Sequence, residues 1–407
     1  MEQGAAIASI GWCILSRDIT VPTGRSSGSN QSPTKDAAMP PTPILRLTTT
    51  RLPLYAALLA LVAALALGST SSASAAMTKG LEDDRMALSD DPTVRQTFWA
   101  HAADAKVKTV RVLARWDGNA STVPDDQIQR LRRAAVEGSA VGARLMVGIY
   151  HGIGRGKPRS FRVRSAQSSA YIAFARSLAG GLQDLPIGSY LTWNEPNYKT
   201  TWPQAQAREW VRVSNATYAA FRSADPNVPI YAGEAAPETR TKNGSTMPGA
   251  FFRKALCLTK KYRSASRRSS CRKTRLRTDG FTLHTYDFTR APTKRTRNAD
   301  QWTHGNLRSA LRQIKRFAKA KRISKKAARN VHITEFAYRT QGRHATRPSR
   351  AARWLKSAWR SARRAGVRSF TWYQLQDPPE VNTDWASGMI SRSGTTRATW
   401  SAFRTLR

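Results

Sequence analysis

Two glutamates carry most of the chemistry this sequence can offer. Glu195 lies in "LTWNEPNY" (Leu191 to Tyr198) and Glu335 in "HITEFAY" (His332 to Tyr338), each straight after an apolar, strand-forming run. One carboxylic acid that protonates a leaving oxygen, and a second carboxylate that attacks the carbon or activates water, are the two groups needed to cleave a glycosidic bond. Such work requires elements that carry two residues so far apart in the chain to one cleft.

From Met77 onward, short apolar runs alternate with amphipathic stretches, the pattern of repeated βα units around a parallel sheet. Strands are expected at Val107–Trp116, Ala143–Gly152, in "GSYLTWNEPN", and at Val228–Pro237, Gly280–Phe288, Asn330–Tyr338 and Arg368–Asp377, with a weak first strand at Thr78–Leu81. Helical spacing is read at about Pro92–Ala105, in "PDDQIQRLRRAAVEGSA", and at about Ser165–Ala179, Gln204–Ser223, Asn306–Ala320 and Arg350–Ala365. Eight strands with helices between them give an α/β chain of one (β/α)8 TIM barrel over residues 77–407. A doubly wound open sheet is the alternative, but no Gly-rich phosphate turn follows the early strands.

Reactive groups of a TIM barrel sit at the C-terminal ends of its strands. Those ends offer Arg111 and Arg115 on strand two, His151 on strand three, Asn194 and Glu195 on strand four, and Glu234 on strand five. Strand six offers His284 and Tyr286, strand seven Glu335, and strand eight Trp372 and Gln374. His151 is read either as a substrate contact or as strand-end packing, and Glu234 as a subsite ligand or a loop charge.

"TWNEPN" followed much later by "HITEFAY" resembles the clan A glycoside hydrolases, retaining TIM-barrel enzymes that include families five and thirty-nine. The resemblance spans about Gly80 to Arg407. It implies Glu195 as acid/base, Glu335 as nucleophile, and Asn194 as partner of the sugar hydroxyl beside the anomeric carbon. Arg111 in "TVRV" matches the strand-two arginine that supports the nucleophile, and His284 and Tyr286 in "LHTY" match the strand-six region where tyrosine bonds the nucleophile. Trp372 in "FTWYQ" matches a strand-eight aromatic platform for a sugar ring. Physically, Arg111 is expected to hold Glu335 ionised, and Glu195, in a drier position, to stay protonated for acid work. No cofactor is implied, because two carboxylates and water suffice.

The segment from Thr239 to Thr278 exceeds a minimal βα unit and contains no Asp or Glu. It is read as a basic insertion after strand five, with a helix near Gly249–Tyr262, which either overhangs the mouth and holds an acidic substrate or is a solvated excursion. It also holds Cys257 and Cys271, expected to form a disulfide worth about 3 kcal/mol by loop entropy.

That pairing presumes an oxidising compartment. The apolar block Leu52–Gly68, flanked by Arg46 and Arg51 and followed by Ala73, Ser74 and Ala75, reads as a signal segment within residues 39–76. Residues 1–38 precede it as a disordered stretch or an over-extended gene model, with Met39 as the start. An uncleaved membrane anchor is the alternative to secretion.

With 407 residues and 40% hydrophobic content, the chain can bury a large core. Its net charge is +41, and loss of residues 1–76 would still leave 62 basic against 23 acidic residues. Such a field favours anionic partners, including acidic polysaccharides. No zinc cluster, phosphate loop or RNA-binding aromatic signature accompanies it, which sets aside specific nucleic-acid binding. The expectation is a secreted monomeric glycosidase for a polysaccharide or oligosaccharide, without membrane contact once the signal is removed. The alternative is a catalytically degenerate barrel that binds an acidic envelope glycan.

Overall fold

The computed structural model describes residues 76–150, 164–199, 201–237, 245–378 and 385–407. Residues 1–75, which hold nearly all of the expected signal segment, and His151 lie outside them. Thr78–Glu82 (β1), Thr109–Arg115 (β2), Arg144–Tyr150 (β3), Ser189–Leu191 (β4), Ile230–Ala235 (β5), Gly280–His284 (β6), Val331–Glu335 (β7) and Ser369–Tyr373 (β8) are parallel neighbours in chain order. β8 pairs back onto β1, which closes the barrel expected from the sequence. No helix among the described residues is long and apolar enough to cross a membrane.

Period-two alternation sorts each strand between two environments. On β2, Val110, Val112 and Ala114 are buried with the outer core, and Arg111 between them contacts residues from four other strand ends. Within the barrel, Met146, Leu191 and Tyr231 form a small separate cluster. Tyr231 stacks on His332 at 4.5 Å, and His332 is held by Ser369 at 2.9 Å and Asn330 at 3.0 Å. Gly80 keeps the barrel closed at β1, since a Cβ there would lie 2.2 Å from Thr371 Oγ1.

The outer helices follow their sequence signals. Pro92–Asp104 starts with proline behind Asp91, whose carboxylate accepts the Thr93 N–H at 2.8 Å. Asp125–Ala140 carries Asp125 and Asp126 in its first turn. The closing helix Ala398–Arg404 buries Trp400 and Phe403, and the last carbonyl, of Arg407, accepts the Trp359 indole N–H at 2.9 Å.

Two expectations change. The helix after β5 is Pro248–Ala255 and stops well before Tyr262, because Cys257 takes a positive φ of 55° and bonds to Cys271. The disulfide and its basic residues come after that helix and lead into β6: Leu276 N–H donates to Arg322 at 2.8 Å and Asp279 N–H to Ile230 at 2.8 Å, at the start of β5. The part from Cys257 to Asp279 therefore lies at the N-terminal end of the strands, away from the carboxylates, whereas Ser245 and Thr246, near the start of the expected insertion, pair with Tyr198 and Asn197 beside Glu195.

Candidate active site

β4 ends at Leu191, but its chain stays tied to β5: Thr192 N–H donates to Tyr231 at 3.0 Å and Glu195 N–H to Glu234 at 3.0 Å. Beneath this turn Trp193 is buried between Tyr171 and Trp202, at ring distances of 4.5 and 5.3 Å, the packing role its sequence position suggests. Asn197 latches the neighbouring loop through the Ala236 N–H at 2.7 Å and carbonyl at 2.8 Å. Glu195 and Glu234 both have left-handed backbones, with φ of 43° and 49°. Such conformations cost about 1–3 kcal/mol each and persist where surrounding bonds hold them. At β5 the cause is a bulge between Ala232 and Ala235, where Gly233 at φ 143° passes so close to Thr282 that a Cβ would lie 2.2 Å from its carbonyl.

The tie brings the two sequence-selected glutamates together. One carboxylate oxygen from each, with a ring nitrogen of His284, lie within 4.8 Å of one another. His284 Nδ1 is 3.0 Å from Glu195 and Nε2 is 3.3 Å from Glu335. Tyr286 donates its hydroxyl to Glu335 Oε2 at 2.7 Å, and Arg111 is 2.9 Å from Glu335 Oε1. Arg111 also donates to Asn194 Oδ1 at 2.8 Å, and the Asn194 NH₂ group makes no hydrogen bond among the described residues. Arg111, Asn194, His284, Tyr286 and both glutamates thus form one constellation.

Two acids that the strand-end survey passed over or left open complete it. Glu234 is fully buried, 2.9 Å from Arg111 and 3.5 Å from His284, so it is a buried counter-charge and neither a subsite ligand nor a loop charge. Glu82, at the end of β1, pairs with Arg111 from the other side. The expected first strand stopped at Leu81; one more residue, followed by two aspartates, was the available signal.

Burial and charge divide these groups. Burial alone would lower the His284 pKa, but Glu335, Glu195 and Glu234 outweigh it and raise it to about 10. Burial would likewise raise Glu234, yet Arg111 and His284 pull it down to about 2. Glu82 goes the other way, pushed well up by burial against Arg111. Glu335 is also raised, by burial first, with His284 and Arg111 opposing and Glu195 and Glu234 reinforcing. This corrects the expectation that Arg111 holds Glu335 ionised: the guanidinium is shared among three carboxylates. Nor is Glu195 the drier group, since the two side chains are 13% and 12% exposed. Glu195, His284 and Glu335 also have the spacing of a metal ligand set, and the raised His284 pKa favours the imidazolium form, a cation between two acids.

Trp372 is not brought to the mouth. It is 1% exposed, packs edge-on against Phe336 and donates its indole N–H to Ser387 at 3.1 Å. Alternation along β8 gives the inward position to Tyr373, which is paired in register with Glu82 and lies within electrostatic reach of Glu82 and Glu335. A second aromatic, Trp385, is 39% exposed beside Tyr286 and Phe288, at ring distances of 6.1 and 5.9 Å. Tyr198 adds a hydroxyl to Glu195, whose charge, together with burial, raises the phenol well above its usual range.

A parallel eightfold barrel brings two acids together at the C-terminal ends of β4 and β7, the pair of groups that cleavage of a glycosidic bond needs. Residues 76–376 match the family model described as cellulase (glycosyl hydrolase family 5), and the chain belongs to that family. Among solved structures, a family 39 glycoside hydrolase from Bacteroides cellulosilyticus WH2 aligns at 14% identity and TM-score 0.57, covering 81% of this chain and 63% of that one. The exo-beta-1,4-mannosidase Op5Man5 from Opitutaceae bacterium strain TAV5 aligns at 16% identity and TM-score 0.55, covering 81% and 58%. A GH5_18 protein from Streptomyces cattleya, in complex with GlcNAc, aligns at 14% identity and TM-score 0.54, covering 81% and 79%. The chain therefore spans less than two thirds of the first two structures, and at these identities the likeness is one of fold. A comparison with curated proteins finds no match.

Proposed function

We propose that this chain is a secreted, monomeric, retaining glycosidase that cleaves a polysaccharide or oligosaccharide by double displacement. The observation that carries the reading is the approach of Glu195 and Glu335 to within 4.8 Å. Retaining enzymes hold their carboxyl groups about 5–5.5 Å apart, whereas inverting enzymes need about 6.5–9.5 Å to admit a water. In the first step Glu335 attacks the anomeric carbon while Glu195 gives its proton to the departing oxygen. In the second, Glu195 takes a proton from water, whose oxygen displaces Glu335 and restores both groups. Asn194 presents its NH₂ group to the hydroxyl beside the anomeric carbon, and Tyr373 and Trp385 supply faces for sugar rings. Secretion is supported by the apolar block Leu52–Gly68 and by the Cys257–Cys271 disulfide.

Proton NMR of the first-formed product from a panel of aryl glycosides tests the mechanism. β-Mannosides and N-acetylglucosaminides head the panel, because titles of structural neighbours name a beta-1,4-mannosidase and a GlcNAc complex. Product of retained configuration is expected. Inverted product, or full activity in both Glu195→Gln and Glu335→Gln, would refute double displacement. The complete set of acids and their partners favours cleavage over simple glycan binding.

A further inference from the structure

Arg322 ends the turn after helix Leu307–Lys319, at the opposite end of the barrel from the carboxylates, and is 4% exposed. Its Nη1 donates to the carbonyls of Arg272 and Thr274, and its Nε has no hydrogen-bond partner. No carboxylate lies within ion-pair distance of it among the described residues. A guanidinium does not shed its proton in proteins, and a buried charge without a counter-charge is unfavourable. Burial and the nearby Arg275 act on it in the same unfavourable direction.

Arg322 lines a cavity of about 280 Å³ with Arg272, Arg275, Lys321, Ser264 and Tyr262. The lining contains four cations, a hydroxyl and a phenol, and no acid. Its wall is fixed covalently, because Cys271, bonded to Cys257, immediately precedes Arg272. A lining of three guanidinium groups and one ammonium with no acid among them matches an oxyanion that takes several charge-assisted hydrogen bonds at once. We propose that this cavity is a binding site for a phosphate group, free or carried as a sugar phosphomonoester, separate from the glycosidase site. The anion supplies the counter-charge that Arg322 lacks.

Isothermal titration calorimetry of the full chain, with inorganic phosphate in one arm and glucose 6-phosphate in the other, tests this. Saturable binding in either arm is expected, and the tighter arm identifies the free ion or the ester as the source. Arg272→Gln/Arg275→Gln, both exposed and so tolerable to the fold, should weaken binding about 10-fold or more while aryl-glycoside hydrolysis is unchanged. Arg322→Gln should do the same. Absence of saturable binding overturns the proposal. So does equal affinity in the double variant, or an equal loss in Arg308→Gln/Arg312→Gln, exposed arginines outside this cavity, which would mark a response to net charge.

Discussion

Tyr286 Oη donates to Glu335 Oε2 at 2.7 Å, from a phenol that burial and Glu335 hold well above its ordinary pKa. The phenol therefore remains a neutral donor throughout the physiological range, fixing one carboxylate oxygen without adding charge. Hydrogen bonds to charged groups contribute about 1.5–3 kcal/mol. Tyr286→Phe should lower kcat by about 10- to 100-fold on that scale, with a small change in unfolding midpoint. Unchanged turnover would show that the bond is idle in catalysis.

Arg111 faces a heavier demand, since it answers Glu82, Glu234 and Glu335 together. Arg111→Met should destabilise the fold by about 3–5 kcal/mol, the scale for breaking a buried ion pair, and abolish activity. Arg111→Lys should recover little of either, because an ammonium cannot span three carboxylates and Asn194 with one planar fork. Denaturant unfolding decides the point; a wild-type midpoint in the methionine variant would contradict the network.

Trp372 on β8 and Trp385 in the loop beyond it predict opposite phenotypes. Trp372→Ala should cost about 3–5 kcal/mol of stability as a buried core truncation. Trp385→Ala, at an exposed position, should leave stability near wild type and raise KM. A Michaelis constant unmoved in Trp385→Ala would remove it from the sugar-binding surface.

Buried histidines contribute to the pH dependence of the fold. Burial lowers His304 to about 4, and burial with Arg368 lowers His332 to about 3, whereas an unfolded histidine titrates near 6.5. Between about pH 6.5 and 4 each of these histidines takes up a proton in the unfolded chain but not in the folded one, so its own contribution to stability falls as the pH drops, by up to about 1.4 kcal/mol per unit. His284 has the opposite sign: its contribution is complete below about pH 6.5 and is lost as the pH rises through about 10. Asp83 and Asp84, raised by burial to about 6 and about 7, act with the opposite sign over the same range, so the histidine is read by comparison: from pH 7 down to pH 4 the urea midpoint of His304→Gln should fall less, or rise more, than that of the wild type. Equal slopes in the two proteins would exclude His304 as a source.

Much of this site was legible before the barrel was seen. Glu195, Asn194, Arg111, His284, Tyr286 and Glu335 all follow from one rule, that polar residues ending apolar runs gather at one end of a parallel barrel. The rule failed at β8, where Trp372 and Tyr373 are adjacent aromatics and a shift of one residue exchanges core for mouth. It failed at β1 because the strand runs one residue past the expected Leu81, to Glu82.

Periodicity and strand-end chemistry, properties of neighbours in the chain, were enough to indicate the barrel and the acid pair. Which charges share a partner was decided in three dimensions. The common hold of Arg111 on Glu82 and Glu234, the place of His284 between Glu195 and Glu335, and the uncompensated Arg322 all depend on distances across the barrel and on exclusion of water. Coulombic and desolvation energies vary with separation and burial, and neither quantity is written in the order of residues.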